Sequence, residues 1–286
     1  MIAWAADRMS RTGRVPFRVQ RGGYLTWSAA AVLTLLVLVA VFAPLVAPQD
    51  PNNGVLSSSL AQPSGAHLLG ADGSGRDIFS RLVYGTRASL GGPLVIVLVS
   101  TLIGGGLGLL GGFIGGFLDG ALGRLWDLML AFPSLLLAIV IVATFGRGLV
   151  PAVIAISITY IPLMARVVRG LVVSERHKQY LAACRLQGFG TPRIVFNHLL
   201  PNISGPLIAQ LTLNFGYALL DLAALSFIGL GASPPTSDWG TMLSDGKATI
   251  LTTANPVIWP SLAIIVTVVC VNLVGQAISD RLQRSV

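Results

Sequence analysis

Charge is what this sequence has least of. Asp, Glu, Lys and Arg supply 10% of its 286 residues, against roughly 25% in soluble domains. A soluble domain of this length would need a charged exterior, so that class is excluded. Lysine occurs twice, as Lys178 before Gln179 and Lys247 before Ala248. Neither fits the G-x-x-x-x-G-K-[ST] loop that cradles phosphates, so any ATP that drives this protein is bound by another polypeptide. Three histidines, His67, His177 and His198, lack ligand-like spacing with cysteine or carboxylate, and no metal site is expected.

Apolar residues fill the space that charge leaves. They make up 53% of the chain, and mean hydropathy is +0.77. Runs of about 20 apolar residues recur, enough to cross a ~30 Å hydrocarbon layer. Six spans are expected, near 24–47, 89–117, 125–146, 148–170, 203–231 and 257–279, which makes an all-α polytopic membrane protein. The first apolar core, Ala29 to Val46, is longer than the ~7–15 residues of a signal peptide and reads as a retained helix. Tyr24, Trp27, Trp126 and Trp259 stand at span starts, where interfacial aromatic anchors belong.

Charge sidedness orients the spans. With the N-terminus inside, the cytoplasmic segments hold Arg8, Arg11, Arg14, Arg18, Arg21, Arg124, Arg166, Arg169, Arg176, Lys178, Arg185, Arg193, Arg281 and Arg284. The outside holds Arg76, Arg81, Arg87, Arg147 and Lys247. That is the positive-inside bias, and it places both termini in the cytoplasm. Cations spread over several segments do not form a nucleic-acid surface. Cys184 then falls in a cytoplasmic loop and Cys270 in the last span, so no disulfide is expected.

The expected organisation is a cytoplasmic segment 1–23, a first span 24–47, an extracytoplasmic loop 48–88, a core 89–280 containing a cytoplasmic loop 174–202, and a tail 281–286. Asp77 to Leu90 reads as an interfacial helix, with Arg81 and Arg87 wet and Ile78, Leu82 and Val83 toward lipid. The "DGSGRD" before it lacks the ligand series of a calcium loop and reads as a turn. Gly104, Gly108, Gly112 and Gly116 recur every four residues and share one helix face, where another helix can come close. Pro133 should kink the third span. Asp221 is the one acid placed within a span. It either lines a pathway and meets a cation, or is packed, hydrogen-bonded or protonated.

The stretch "YLAACRLQGFGTPRIVFNHLLPN", residues 180–202, is polar and basic between apolar runs. Helix is expected to Leu186, with Tyr180, Ala183, Cys184 and Gln187 on one face. Gly188 suits a left-handed stop, Thr191 an N-cap and Pro192 a first helical position. A second short helix should run to Leu200 before Pro201 and Asn202 lead into the fifth span. Local chemistry alone leaves a docking elbow and a solvated loop equally open.

This segment resembles the EAA loop of ABC-importer permeases through Ala183, Gly188, His198, Leu200, Pro201 and Asn202. Ala182 stands where that pattern has Glu, and Cys184 where it has Ala. "LGADGSGRDIFSRLVYGTRASL", "GGFIGGFLDGALGRLWDLMLAFPSLLLAI" and "LSFIGLGASPPTSDWGTMLSDG" resemble the second, six-span permease subunit of the dipeptide, oligopeptide and nickel group. In the looser ending "NLVGQAISDRL", Gln276 replaces a frequent Asp.

The resemblance implies a type I importer permease fold with a cytoplasmic coupling helix, in a bacterial cytoplasmic membrane. It implies a paralogous permease partner, two ATPase subunits or one fused ATPase that bind ATP and Mg, and an extracytoplasmic binding protein. On it, Tyr180, Ala182, Ala183, Cys184, Gly188, Arg193, His198 and Pro201 would meet the ATPase. This chain would hold no cofactor and catalyse nothing. Trp239 is a candidate contact for the binding protein, with a re-entrant plug as the alternative role of its segment. An ion-coupled secondary transporter would need more intramembrane acids and a repeat, and a membrane enzyme a cluster of reactive side chains at one depth. Neither is visible.

Overall fold

Among the described residues, five helices are long and apolar enough to span a bilayer, and a sixth span exists if one bent helix pair is counted as a single crossing. The computed structural model describes residues 23–233 and 236–285, the last two as backbone. Arg8, Arg11, Arg14, Arg18, Arg21 and Arg284, which carry much of the expected sidedness, lie outside the described side chains. Among the described residues there is no β-strand, and the sole β-type pairing is the isolated bridge between Ala71 and Asp77.

Helix α1 (Tyr24–Val41) is apolar all round and buries Ala29 alone, as a lipid-facing helix must. A short turn of helix, α2 (Ala43–Val46), ends it. After the outer loop comes α3 (Ile78–Ser100), whose N-cap Asp77 accepts a hydrogen bond from the Ser80 amide at 2.8 Å. A π-helical turn, Thr101–Gly105, joins it to α4 (Gly106–Ile114). The expected interfacial helix from Asp77 is therefore the outer end of the second span. Its faces also differ from the expectation: Arg81 is buried with Ile78 and Val83 instead of standing in water. Arg87 stays exposed and donates to the Ala40 and Val41 carbonyls at 2.6 and 3.0 Å, which ties α3 to α1.

Gly115 and Gly116, both at positive φ (74° and 65°), turn the chain into α5 (Gly116–Leu130). Helix α6 (Ser134–Phe145) follows at 82°. The expected kink at Pro133 is thus a full break. Proline forces its predecessor out of the helical region and offers no N–H, so Ala131 to Pro133 leave the helix. Trp126 is 4% exposed and sits in the interior of the fold rather than at an interface.

Helix α7 (Leu149–Glu175) is the axis of the fold and touches α3, α4, α5, α6 and the fifth span. A two-turn helix α8 (Gln179–Leu186) ends in a turn at 187–190, after which a short α9 (Thr191–Ile194) and a π turn Val195–Leu199 lead without interruption into α10 (Leu200–Phe227). Helix α11 (Trp239–Gly246) packs between α10 and α12 at the end of the bundle opposite the elbow, and α12 (Asn255–Ser285) closes against α10 and α1.

The glycine repeat explains how α4 meets α7. A Cβ on Gly104 would overlap the Ile161 carbonyl oxygen, one on Gly108 the Ala165 carbonyl oxygen, and one on Gly112 would lie 3.1 Å from the Arg169 oxygen. Both helices advance by four residues per contact, so the backbones run nearly in register. Dispersion between such close surfaces holds helices together in lipid, where no hydrophobic force acts between them. Gly116 has left this face and serves the turn. Gly108→Val should therefore cost about 1–3 kcal/mol through overpacking, read as a lowered melting temperature of the purified protein in detergent, while Gly120→Ala, which meets no neighbour, should not.

Candidate functional site

The elbow at residues 174–202 is anchored by the helices it joins. Glu175, 6% exposed at the end of α7, accepts from the Tyr180 hydroxyl at 2.9 Å and pairs with Lys178 Nζ at 2.8 Å. Burial, and then the hydrogen bond to Glu175, push the Tyr180 phenol well above its ordinary range, so it stays a donor. Leu181 and Cys184, at 0% and 8% exposure, pack with Met164, Val168 and Val172 of α7 and with Leu199 and Ile203.

The turn after α8 is a Schellman motif. Gly188, at φ 78°, donates to the Arg185 carbonyl at 3.0 Å, and Phe189 donates to the Cys184 carbonyl at 3.1 Å. The Arg193 guanidinium then lies 4.3 Å from the Phe189 ring centre, and the His198 ring stacks on the same phenylalanine at 5.8 Å. Asn202 Nδ2 donates to the His198 carbonyl at 2.6 Å. These contacts make the elbow a braced bracket.

What the bracket exposes differs from what the spacing suggested. Ala182, Ala183, Arg185, Gln187, Gly188, Arg193 and Pro201 are exposed, whereas Cys184 turns inward and cannot belong to an outer face. Gly190 rather than Thr191 holds the N-cap position of α9, without a side-chain cap bond, and no break follows at Pro201. Leu186 is 90% exposed at the tip of α8. Sequence reasoning missed it, although a lone leucine beside Arg185 and Gln187 in a polar turn was a signal to use.

Above the elbow, Asp119 takes two hydrogen bonds from Arg169, the Nη2 one at 2.7 Å, and Arg176 donates to the Gly112 carbonyl at 2.7 Å. The helix pair α4–α5 is thereby clamped to the helix that carries the elbow.

At the outer end, Trp239 is 1% exposed. Its indole N–H donates to the Leu82 carbonyl at 3.2 Å, and its amide to Ser89 Oγ at 3.0 Å. It anchors α11 inside the fold, so it offers no surface to a second protein. Asp238 caps α11 through Thr241 and accepts from Ser226 at 2.6 Å. Burial pushes its carboxyl upward against the pull of those hydrogen bonds. Arg81, 4% exposed in its side chain, pairs with Asp72 and with Asp245 at 2.9 Å.

Asp221 lies on α10 and accepts from the Tyr160 hydroxyl of α7 at 2.9 Å. A cavity of about 420 Å³ opens beside the pair at the α5–α6 break. Among the described residues, no group of three or more His, Cys, Asp or Glu is arranged to hold a metal ion. Cys184 and Cys270 are both buried and free.

Comparison with known proteins supplies the family. The family model described as "binding-protein-dependent transport system inner membrane component" matches residues 104–286. The chain is 40% identical over 269 residues to the dipeptide transport system permease protein DppC of Alkalihalophilus pseudofirmus, covering 94% of this chain and 88% of the relative. It is 44% identical over 256 residues to a di/tripeptide transport system permease protein of Pseudomonas aeruginosa, with 87% and 84% covered. It is 39% identical over 263 residues to the nickel transport system permease protein NikC of Escherichia coli, with 90% and 94% covered.

Among solved structures, an inward-facing form of the MetNI methionine ABC transporter superposes with a TM-score of 0.62 at 18% identity, over 72% of this chain and 97% of that one. That likeness is one of fold, and it matches the all-helical, type I importer architecture. With apolar spans, a braced elbow between two of them and relatives of this identity along nearly its whole length, the chain belongs to the family of binding-protein-dependent transport system inner membrane components, as a permease subunit of an ABC importer in a bacterial inner membrane.

Proposed function

We propose that this chain is one of two paralogous permeases that together carry di- or oligopeptides, or a related small solute such as chelated nickel, inward by alternating access. The relatives, named as dipeptide, di/tripeptide and nickel transport permeases, support that substrate range. Two ATPase subunits, or one fused ATPase, bind ATP and Mg and close on each other. An extracytoplasmic binding protein delivers the solute. The chain itself makes no bonds and holds no cofactor. Both termini face the ATPase side, and residues 174–202 form the coupling loop.

The observation that carries the reading is the elbow's construction. Its underside is fixed to α7 and α10 through Leu181, Cys184 and the Glu175 pairings, while small and apolar side chains, Ala182, Ala183 and Leu186, face outward. A groove on an ATPase can seat such a tip closely. Displacing it moves α7 and α10 together, because Leu181 and Cys184 pack α8 against both. ATP and solute must favour different states for that motion to do transport. Tyr180, Gly188, Arg193 and His198 brace the tip, and Pro201 starts the helix beyond it.

Single cysteines at Ala182 or Leu186, in an assembly whose Cys184 and Cys270 are replaced by alanine, should cross-link to the ATPase with a short bifunctional reagent. Native Cys184 should not, being 8% exposed. An assembly that still imports while both tip positions react with nothing but solvent-borne quencher would defeat the proposal.

A further inference from the structure

The cavity at the α5–α6 break has an unusual electrostatic composition. It is lined by Met129, Phe132, Ser134, Tyr160, Tyr217 and Asp221, among others. Of the two Asp221 oxygens, Oδ2 takes the Tyr160 hydroxyl. No described residue donates to Oδ1, and no described Lys, Arg or His pairs with this carboxylate. Asp221 sits six residues before the outer end of α10 at Phe227, so about 9 Å of helix lies between it and that end. A carboxylate at such depth costs several kcal/mol unless something compensates it. One phenol is weak compensation. Aromatic faces, meanwhile, attract cations.

We propose that this cavity is a transient site for an ammonium group on the transported molecule, held by the free oxygen of Asp221 with the rings of Phe132 and Tyr217 alongside. Tyr160 is the positioning residue: its hydroxyl occupies one oxygen and turns the other toward the cavity. The site's location suits the role. It lies where α7, α10 and the broken α5–α6 pair meet, so a change in the 82° break would open or close it. That the ammonium belongs to a peptide rests on the function proposed above; that the cavity selects a cation does not.

The test uses the assembled transporter in nanodiscs, with Cys184 and Cys270 replaced by alanine and Ser134→Cys as a reporter on the cavity wall. Leu137→Cys is the second reporter should the first fail to assemble. Modification rates are compared for a trimethylammonium-bearing and a sulfonate-bearing methanethiosulfonate, each divided by that reagent's rate with a free thiol in solution, because a thiolate by itself favours the cation. A fixed negative charge in a low-dielectric cleft should favour the cation by about tenfold or more. Asp221→Asn should bring the ratio to near one, and Asp221→Glu should retain it. Tyr160→Phe should reduce the ratio without removing it. A ratio near one in the parent means that Asp221 is already neutral, through a proton or a partner's cation, and overturns the proposal, as does a high ratio indifferent to Asp221→Asn. Uptake of dialanine by the parent is measured in parallel. A high ratio with no dialanine import keeps the cation site and refutes the peptide reading, and import with no ratio does the reverse.

Discussion

Ala183→Trp should abolish ATP-driven uptake while the protein keeps its fold. Ala183 is exposed on α8, so an indole there costs the isolated chain nothing in packing. It would, however, stand between the elbow and any groove shaped for a methyl group. A loss of roughly tenfold in docking needs only about 1.4 kcal/mol, and an indole that cannot be accommodated exceeds this. Three measurements separate coupling from stability: uptake into proteoliposomes, co-purification of the ATPase, and the melting temperature of the purified variant. Uptake and co-purification should fall together while the melting temperature stays put. Ala183→Ser, close to alanine in size, should keep all three. Leu186→Glu tests the same tip from its apolar side and should weaken co-purification. Normal uptake by Ala183→Trp would remove the elbow from the coupling mechanism.

The largest expected loss of stability is at Arg81. Its guanidinium pairs with Asp72 and Asp245 and donates to Ser237 Oγ at 3.3 Å. Asp72 is 3% exposed and also accepts from the amides of Ser74 and Arg76, at 2.8 and 2.9 Å. Arg81→Met strands that carboxylate in the interior, and breaking a buried pair in this way costs about 3–5 kcal/mol. Adding Asp72→Asn should recover part of the loss, because the amide oxygen can still accept from both backbone N–H groups while the buried charge is gone. Thermal unfolding in detergent orders the three proteins as parent, double variant, single variant. If the single variant is the more stable of the two, Arg81 and Asp72 are not a buried pair. Because the network joins α3 to α11 and the outer loop, limited proteolysis of residues 50–76 should accelerate in Arg81→Met.

The elbow was the most legible part of the molecule. Gly188, with its positive φ, was readable because a helix stop is decided by neighbouring backbone dihedrals. The four-residue glycine spacing likewise announced a close helix contact, although its partner, the carbonyl row Ile161, Ala165 and Arg169, did not show. Cys184 was misplaced because it was grouped with Tyr180, Ala183 and Gln187. The inner stripe of α8 is instead Leu181 and Cys184, three apart, with the polar residues turned outward as on any water-facing amphipathic helix. Arg81 and Trp239 failed for another reason. A lone arginine and a lone tryptophan in an outer segment look wet, and only partners as distant in sequence as Asp245 and Leu82 take them inside.

The sequence by itself determined that this chain lives in a bilayer, how many times it could cross and which local turns it makes, because hydropathy and backbone preference are properties of contiguous residues. Tertiary structure decided the inward turn of Cys184, the burial of Arg81 and Trp239 and the meeting of Tyr160 with Asp221. Those are contacts between helices, and in lipid they follow from shape and a few polar partners, neither of which is written in any one stretch of chain.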